Sequence, residues 1–188
     1  MKLKALRAAL LGVSAYREIM NREIMVLGRK LLDAVCMRQG EEALDAYTAL
    51  FFQLRKKGFS GIGDWLWDEL RFTSNPFGMD PALENAARRE IDTLLLLART
   101  DCDVFIRAMG ELLDEEYAAV LASLPRWSAA APFTFEVLDA FYRKHGCGLF
   151  ARYRAFVWEK GTLIPVADPD CPRPEELLGY ELQRNQVI

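Results

Sequence analysis

The sequence predicts a mainly α protein, an irregular helical bundle of seven to eight helices with a C-terminal β-hairpin and a linker. Three observations carry this prediction. As far as about His145, apolar residues recur with the 3.6-residue period of amphipathic helices. The ends of these stretches carry side chains that cap helices, or Gly and Pro. After Gly148 the period becomes two, which is typical of a strand.

The N-terminal part divides into helices at recognisable signals. A long helical stretch opens the chain and is predicted to break near Asn21. A helix over Glu41 to Lys56 follows, ended by Gly58, and a turn of helix is expected around Asp64 to Arg71. The glycines between 58 and 63 lack the order of a dinucleotide fingerprint, so we predict a plain loop there.

The later helices begin at polar capping residues. Asp80 precedes Pro81, whose missing N–H costs nothing in the first turn of a helix. Asp101 and Asp114 are predicted to open two shorter helices. The last long helix is expected to start at Thr134, with a hydrophobic staple before it, and to end at a glycine. These last features are Phe133, Leu138 and Gly146.

A β-hairpin over residues 149–166 closes the folded part. Lys160 and Gly161 supply its tight turn, and Pro165 is tolerated in the returning strand only if that strand lies at an edge. The proline-rich stretch 167–174 then reads as a linker. We therefore predict a helical domain over 1–148, the hairpin over 149–166, and over 167–188 a linker with the first residues of another domain.

Composition excludes several classes of protein. The 188 residues are 52% hydrophobic and 27% charged, with a net charge of −3, which does not fit a disordered or low-complexity chain. Because phosphate neutralisation needs clustered Lys and Arg, we expect no nucleic-acid partner. No window is apolar enough for a membrane span, so no membrane partner is expected.

The cysteines point to the cytoplasm. All 4 are too far apart in sequence for a zinc ribbon or a redox pair, and we predict reduced thiols in a cytoplasmic protein. His145 and Cys147 flank a glycine at a helix end without a third ligand. A metal or nucleophile role is therefore less favoured than a helix-terminal histidine interacting with the helix dipole.

The C-terminal part resembles a known family. It combines the segments LFARYRAFVW (149–158), LIPV (163–166), Pro169-Asp170 and ELLGYELQ (176–183). In this order they resemble the region just before the ATPase module of an uncharacterised family of bacterial AAA+-type P-loop ATP-binding proteins. The segment at 73–77 also looks like that family's helical N-terminal region. The resemblance is loose over the whole chain and good over 149–185.

The resemblance implies a nucleotide edge that is incomplete here. Leu177, Leu178 and Gly179, with Tyr180 beside them, would line the adenine ring in the complete protein. The chain contains no Gly-x-x-x-x-Gly-Lys-Ser/Thr loop, which would hold the phosphates. We therefore expect no cofactor in this chain, and ATP with magnesium in a full-length parent. The end at Val187 and Ile188 suggests truncation before that loop.

Four residues are candidates for interaction. Arg152 and Arg154 are expected on the polar face of a strand, where they would contact an acidic partner or the chain's own ATPase domain, or be merely solvated. Trp65 and Trp67 belong to an aromatic cluster for which core or subunit packing is favoured over a ligand cage.

The functional expectation follows from these observations. The chain is predicted to be the non-catalytic N-terminal helical domain of an AAA+-like ATPase, serving partner or substrate recognition or assembly, including assembly of a homo-oligomer. The alternative is a freestanding all-α interaction or scaffold module. A hydrolase using Asp64 and Glu69 is a third class, but the sequence pairs neither carboxylate with a base, metal or nucleophile.

Overall fold

A computed structural model of the chain describes residues 3–73 and 81–169. It is mainly helical, with a C-terminal antiparallel hairpin, as the sequence predicts. Ten α-helices lie within the described residues, two of them only four residues long, against the seven to eight predicted. The α-helices are α1 Leu3–Leu11, α2 Arg17–Met20, α3 Glu23–Cys36, α4 Gly40–Lys56, α5 Ile62–Phe72, α6 Glu84–Ala98, α7 Cys102–Gly110, α8 Ala118–Ser123, α9 Phe135–His145 and α10 Leu149–Arg152. The strands are β1 Ala155–Glu159 and β2 Thr162–Val166.

The helices enclose one apolar core. Helices α3 and α4 pack side by side, α1 packs on α3 and on α6, and α6 also packs on α5. Buried leucines, isoleucines and methionines line these faces, and Tyr16, Tyr47, Trp65 and Phe105 are the largest aromatic side chains fully inside. This is the burial that the 3.6-residue period predicts, and the apolar area removed from water stabilises the bundle.

The first predicted helix is broken twice. The break near Asn21 is confirmed, because α2 ends at Met20 and α3 begins at Glu23. A second break at 12–16 was not predicted. There the chain turns around the carboxylate of Glu90, which accepts hydrogen bonds from the Ser14 amide at 2.9 Å, the Ser14 hydroxyl at 2.8 Å, and the amides of Ala15 and Tyr16, each at 3.1 Å.

Local capping signals place most other boundaries correctly. The Asp101 carboxylate accepts a hydrogen bond from the Asp103 amide at 2.8 Å and opens α7. Short 3-10 turns, Pro81–Leu83 and Glu115–Tyr117, lead into α6 and α8. Gly146, with φ 73, ends α9 in a conformation that favours glycine. The predicted cap Asp80 lies outside the described residues.

The glycines before α5 serve close packing. A Cβ atom on Gly61 would lie 2.0 Å from the Ser128 carbonyl oxygen, and one on Gly63 would lie 2.1 Å from that of Ala130. Only glycine therefore allows the extended segment around 128–131 to approach the start of α5. The predicted loop is confirmed up to Gly61, whereas Gly63 lies inside α5, which is longer than the single turn expected.

The hairpin is shorter than predicted. Residues 149–152 form α10, and the strand begins at Ala155. The two-residue turn has φ 49 at Lys160 and 82 at Gly161, the positive values of a turn that matches the right-handed twist of the strands. Both strands of this two-stranded sheet are edge strands within the described residues, so the condition placed on Pro165 is confirmed.

Candidate functional site

The hairpin is attached to the bundle through α5 and α10. One carboxylate, that of Asp68, accepts from the Arg152 guanidinium at 2.9 Å and from the Arg71 guanidinium at 3.2 Å. The two guanidinium groups also lie over the Phe72 ring, with ring-centroid distances of 4.6 Å for Arg152 and 5.1 Å for Arg71. Ion pairing and cation–π attraction together hold α10 against α5.

An aromatic cluster extends this contact into the bundle. Trp67 packs against Phe133 at 4.9 Å and Phe141 at 5.9 Å between ring centroids, and Arg71 lies over its ring at 4.8 Å. The Phe141 ring lies 4.9 Å from that of His145 at the end of α9. The base of the hairpin therefore rests on a rigid, packed surface.

The hairpin itself exposes apolar side chains on both faces. The register pairs Trp158 with Leu163 and Val157 with Ile164. Because successive residues of a strand point to opposite sides, Trp158 and Leu163 lie on one face and Val157 and Ile164 on the other. Trp158 is 68% exposed, and Phe150 of α10, which packs on Phe156 at 5.0 Å, is 70% exposed. We call these side chains the hairpin surface: Phe150, Phe156, Val157, Trp158, Leu163 and Ile164.

This exposure is unusual for a solvated element. Burial decreases along the hairpin, since Ala155 and Val166 near the bundle are partly covered while the residues near the turn are exposed. An isolated two-stranded hairpin is only marginally stable in water, and antiparallel sheets normally keep one polar face. Exposed apolar side chains of this kind make the hairpin surface the candidate interaction site.

Comparisons with known proteins give no assignment. No protein-family model, curated protein or solved structure matches the chain. The resemblance to AAA+-type proteins therefore stays a prediction. Its nucleotide-edge residues, Leu177, Leu178, Gly179 and Tyr180, lie outside the described residues, as do most of the linker and residues 74–77 of the earlier match.

The four candidate interaction residues have different environments. Trp65 is 1% exposed and belongs to the core, and Trp67 is partly covered by the aromatic cluster. The prediction that Arg152 and Arg154 lie on a polar strand face is wrong, because both precede β1. Arg152 is engaged by Asp68 and Phe72. Arg154 is exposed and makes no ion pair with residues 3–73 or 81–169.

The sequence contains a signal that the prediction did not use. The prediction identified the alternation in β1 but assigned the interaction to the arginines rather than to the apolar residues. Phe156 and Trp158 on one side, and Val157 and Ile164 on the other, leave neither face polar. Within the described residues the sheet has two strands, and this pattern indicates a sheet without a polar, solvated face.

The pKa shifts of side chains inside the bundle come from burial and hydrogen bonding. Burial raises the pKa of the Tyr16, Tyr142 and Cys102 side chains, and the Tyr142 hydroxyl donates to the Leu70 carbonyl at 2.5 Å. Burial favours protonated Glu90, but its hydrogen bonds from the Ser14, Ala15 and Tyr16 region outweigh that effect and lower its pKa.

Residues 3–73 and 81–169 lack two further kinds of site. This part of the chain holds no cluster of three or more His, Cys, Asp or Glu side chains arranged for a metal ion. It also holds no helix with the length and apolar character needed to cross a bilayer.

Proposed function

We propose that the chain is the helical N-terminal domain of an AAA+-like ATPase, and that the hairpin surface recognises a partner or substrate protein or a neighbouring subunit. In this proposal ATP and magnesium bind to a C-terminal module, and the chain performs no chemistry itself. The observation that carries the proposal is the hairpin with two exposed apolar faces on a packed helical body. The resemblance over 149–185 supplies the link to an ATPase.

The energetics favour recognition by the hairpin. Trp158, Val157, Leu163 and Ile164 are between 40% and 68% exposed, and burying apolar area stabilises a complex by roughly 25 cal/mol per Å². A large aromatic residue such as Trp158 is the residue type that most often dominates binding energy at interfaces. The Asp68–Arg152 contact fixes the base of the hairpin, which reduces the entropy lost on binding.

A second candidate is a freestanding interaction module. The described helices share one apolar core, which suits the body to act alone. The hairpin surface would then serve the same recognition without ATP.

Two measurements separate these functions. The coding sequence beyond codon 188 should encode a Gly-x-x-x-x-Gly-Lys-Ser/Thr phosphate-binding loop within about fifty codons. The absence of this loop would refute the ATPase assignment and leave the freestanding module. In the longer protein, Trp158→Ala should keep basal ATP turnover but lose the stimulation given by an unfolded model protein such as carboxymethylated lactalbumin. The matched control is Phe52→Ala, since Phe52 on α4 is an aromatic residue of similar exposure, 60% against 68% for Trp158.

A further inference from the structure

The two edges of the hairpin are not equivalent. The two-residue turn makes Glu159 and Thr162 a hydrogen-bonded pair, and such pairs alternate along an antiparallel ladder. Phe156 pairs with Pro165, and Trp158 pairs with Leu163, at positions without cross-strand hydrogen bonds. The backbone groups of these four residues therefore point away from the partner strand, to the outer edges of the sheet.

Pro165 closes one of these edges. Its ring nitrogen carries no hydrogen and lies at the outer side of β2, so an added strand there would find only the Leu163 N–H as an outward donor at these two positions. On β1 the corresponding residues, Phe156 and Trp158, keep both their N–H and C=O groups. Within the described residues no third strand pairs with them. The β1 edge is thus the one that accepts a strand.

Charge defines which strand fits. Exposed Arg154 and Lys160 bracket β1, one at each end. Glu159 projects from the face of β1 opposite to Phe156 and Trp158, and Asp68 is already engaged by Arg152 and Arg71. The edge therefore presents two aromatic side chains between two positively charged residues, which complements an apolar strand with acidic ends.

We propose that the β1 edge binds an extended peptide as a third antiparallel strand, and that this peptide has alternating apolar residues between acidic ends. The inference rests on the proposed recognition function and names its partner class. Main-chain hydrogen bonds to Phe156 and Trp158 supply affinity, while their side chains and Arg154 select the sequence. Pro165 restricts addition to this one edge.

The probe is a fluorescein-labelled peptide, Asp-Thr-Val-Thr-Val-Thr-Glu, titrated against the full chain by fluorescence anisotropy. It should bind, and the same peptide with Lys at both ends should bind at least about threefold more weakly, the effect of roughly one exposed ion pair. N-methylation of both valine amides should abolish binding, because these amides face the edge. No saturation with the acidic peptide, or equal binding of the N-methylated peptide, would overturn the proposal.

The register offers a matched pair of protein variants. Trp158→Pro removes an outward N–H from the β1 edge, and Leu163→Pro removes its register partner on the β2 edge; neither breaks a bond between the strands. The first should reduce peptide affinity by tenfold or more and the second by less than twofold. The loss of peptide affinity in Trp158→Val, which keeps the N–H, should lie between those of the two proline variants. Equal losses in both proline variants would overturn the assignment of the edge.

Other occupants give different results. Concentration-dependent dimerisation that Trp158→Pro abolishes would show that a second copy fills the edge, and would overturn the peptide proposal. Peptide binding only by a chain ended after Pro169 would show that the chain's own segment 170–188 fills it, with the same consequence. A missing phosphate-binding loop downstream would refute the ATPase assignment alone, so the two failures are distinguishable.

Discussion

Substitution of Glu90 by Gln tests how the first helix is broken. The Glu90 side chain is 8% exposed on α6 and accepts four hydrogen bonds from the loop between α1 and α2. In Glu90→Gln one oxygen remains for Ser14 and Ala15, but the amide NH₂ faces the Tyr16 N–H. One charge-assisted bond is lost and a buried donor is left unpaired, each worth about 1.5–3 kcal/mol at most.

We expect Glu90→Gln to lower the free energy of unfolding by about 2–4 kcal/mol. This range corresponds to loss of the bond from the Tyr16 amide together with weaker bonds from Ser14 and Ala15. The midpoint temperature should fall by roughly 4–16 °C for a chain of this size. Urea unfolding followed by far-ultraviolet circular dichroism measures the free energy. Asp92→Asn is the control, because Asp92 is an exposed carboxylate on the same helix and should change stability by less than about 0.5 kcal/mol.

The same variant predicts a pH dependence with a definite sign. The pKa of Glu90 is lowered below its ordinary value of 4.5 by the fold, so its contribution is complete above that value and is lost as the pH falls through the lowered pKa. The stability difference between wild type and Glu90→Gln should therefore shrink below pH 4.5. A difference below about 0.5 kcal/mol at pH 7, or one that does not change with acid, would refute the reasoning.

Three further predictions concern packing. Gly61→Ala should destabilise the fold by about 1–3 kcal/mol in urea unfolding, since the added carbon meets the Ser128 carbonyl. Gly110→Ala should not, because outside its own helix the added carbon would come no closer than 3.8 Å, to a Leu121 methyl. Equal effects of the two substitutions would contradict the packing argument. Tyr142→Phe should cost about 1 kcal/mol by calorimetry because it loses the bond to the Leu70 carbonyl; an unchanged melting temperature would count against that bond. A double-mutant cycle of Asp68→Ala and Arg152→Ala should give a coupling of roughly 0.2–1 kcal/mol, whereas strict additivity would show that the pair does not hold α10 to α5.

The sequence was most informative where structure is decided locally. The Asp101 cap, the Gly146 terminator and the tight turn at Lys160 and Gly161 were all predicted, because each depends on a residue's own backbone preference or on an amide two residues away. The same holds for the edge position of Pro165, which follows from its missing N–H.

The failures arise from distant contacts. The break at 12–16 depends on Glu90, which is 76 residues from Ser14 in sequence. Residues 149–152 were predicted as part of the hairpin because the alternation that begins at Ala151 was extended back to Gly148, but contacts of Arg152 with Asp68 and Phe72 hold them as α10 against α5. Glycine is required at positions 61 and 63 because a distant segment, near residue 130, packs against them. No local pattern encodes these partners.

Residue-resolved amide hydrogen exchange of the hairpin tests the central claim most directly. Without peptide, the outward amides of Phe156, Trp158 and Leu163 should exchange faster than those of Val157 and Ile164, which bond across the ladder. With the acidic peptide at saturation, Phe156 and Trp158 should become protected while Leu163 stays fast. Protection of Leu163, or unchanged exchange at Phe156 and Trp158, would contradict recognition through the β1 edge.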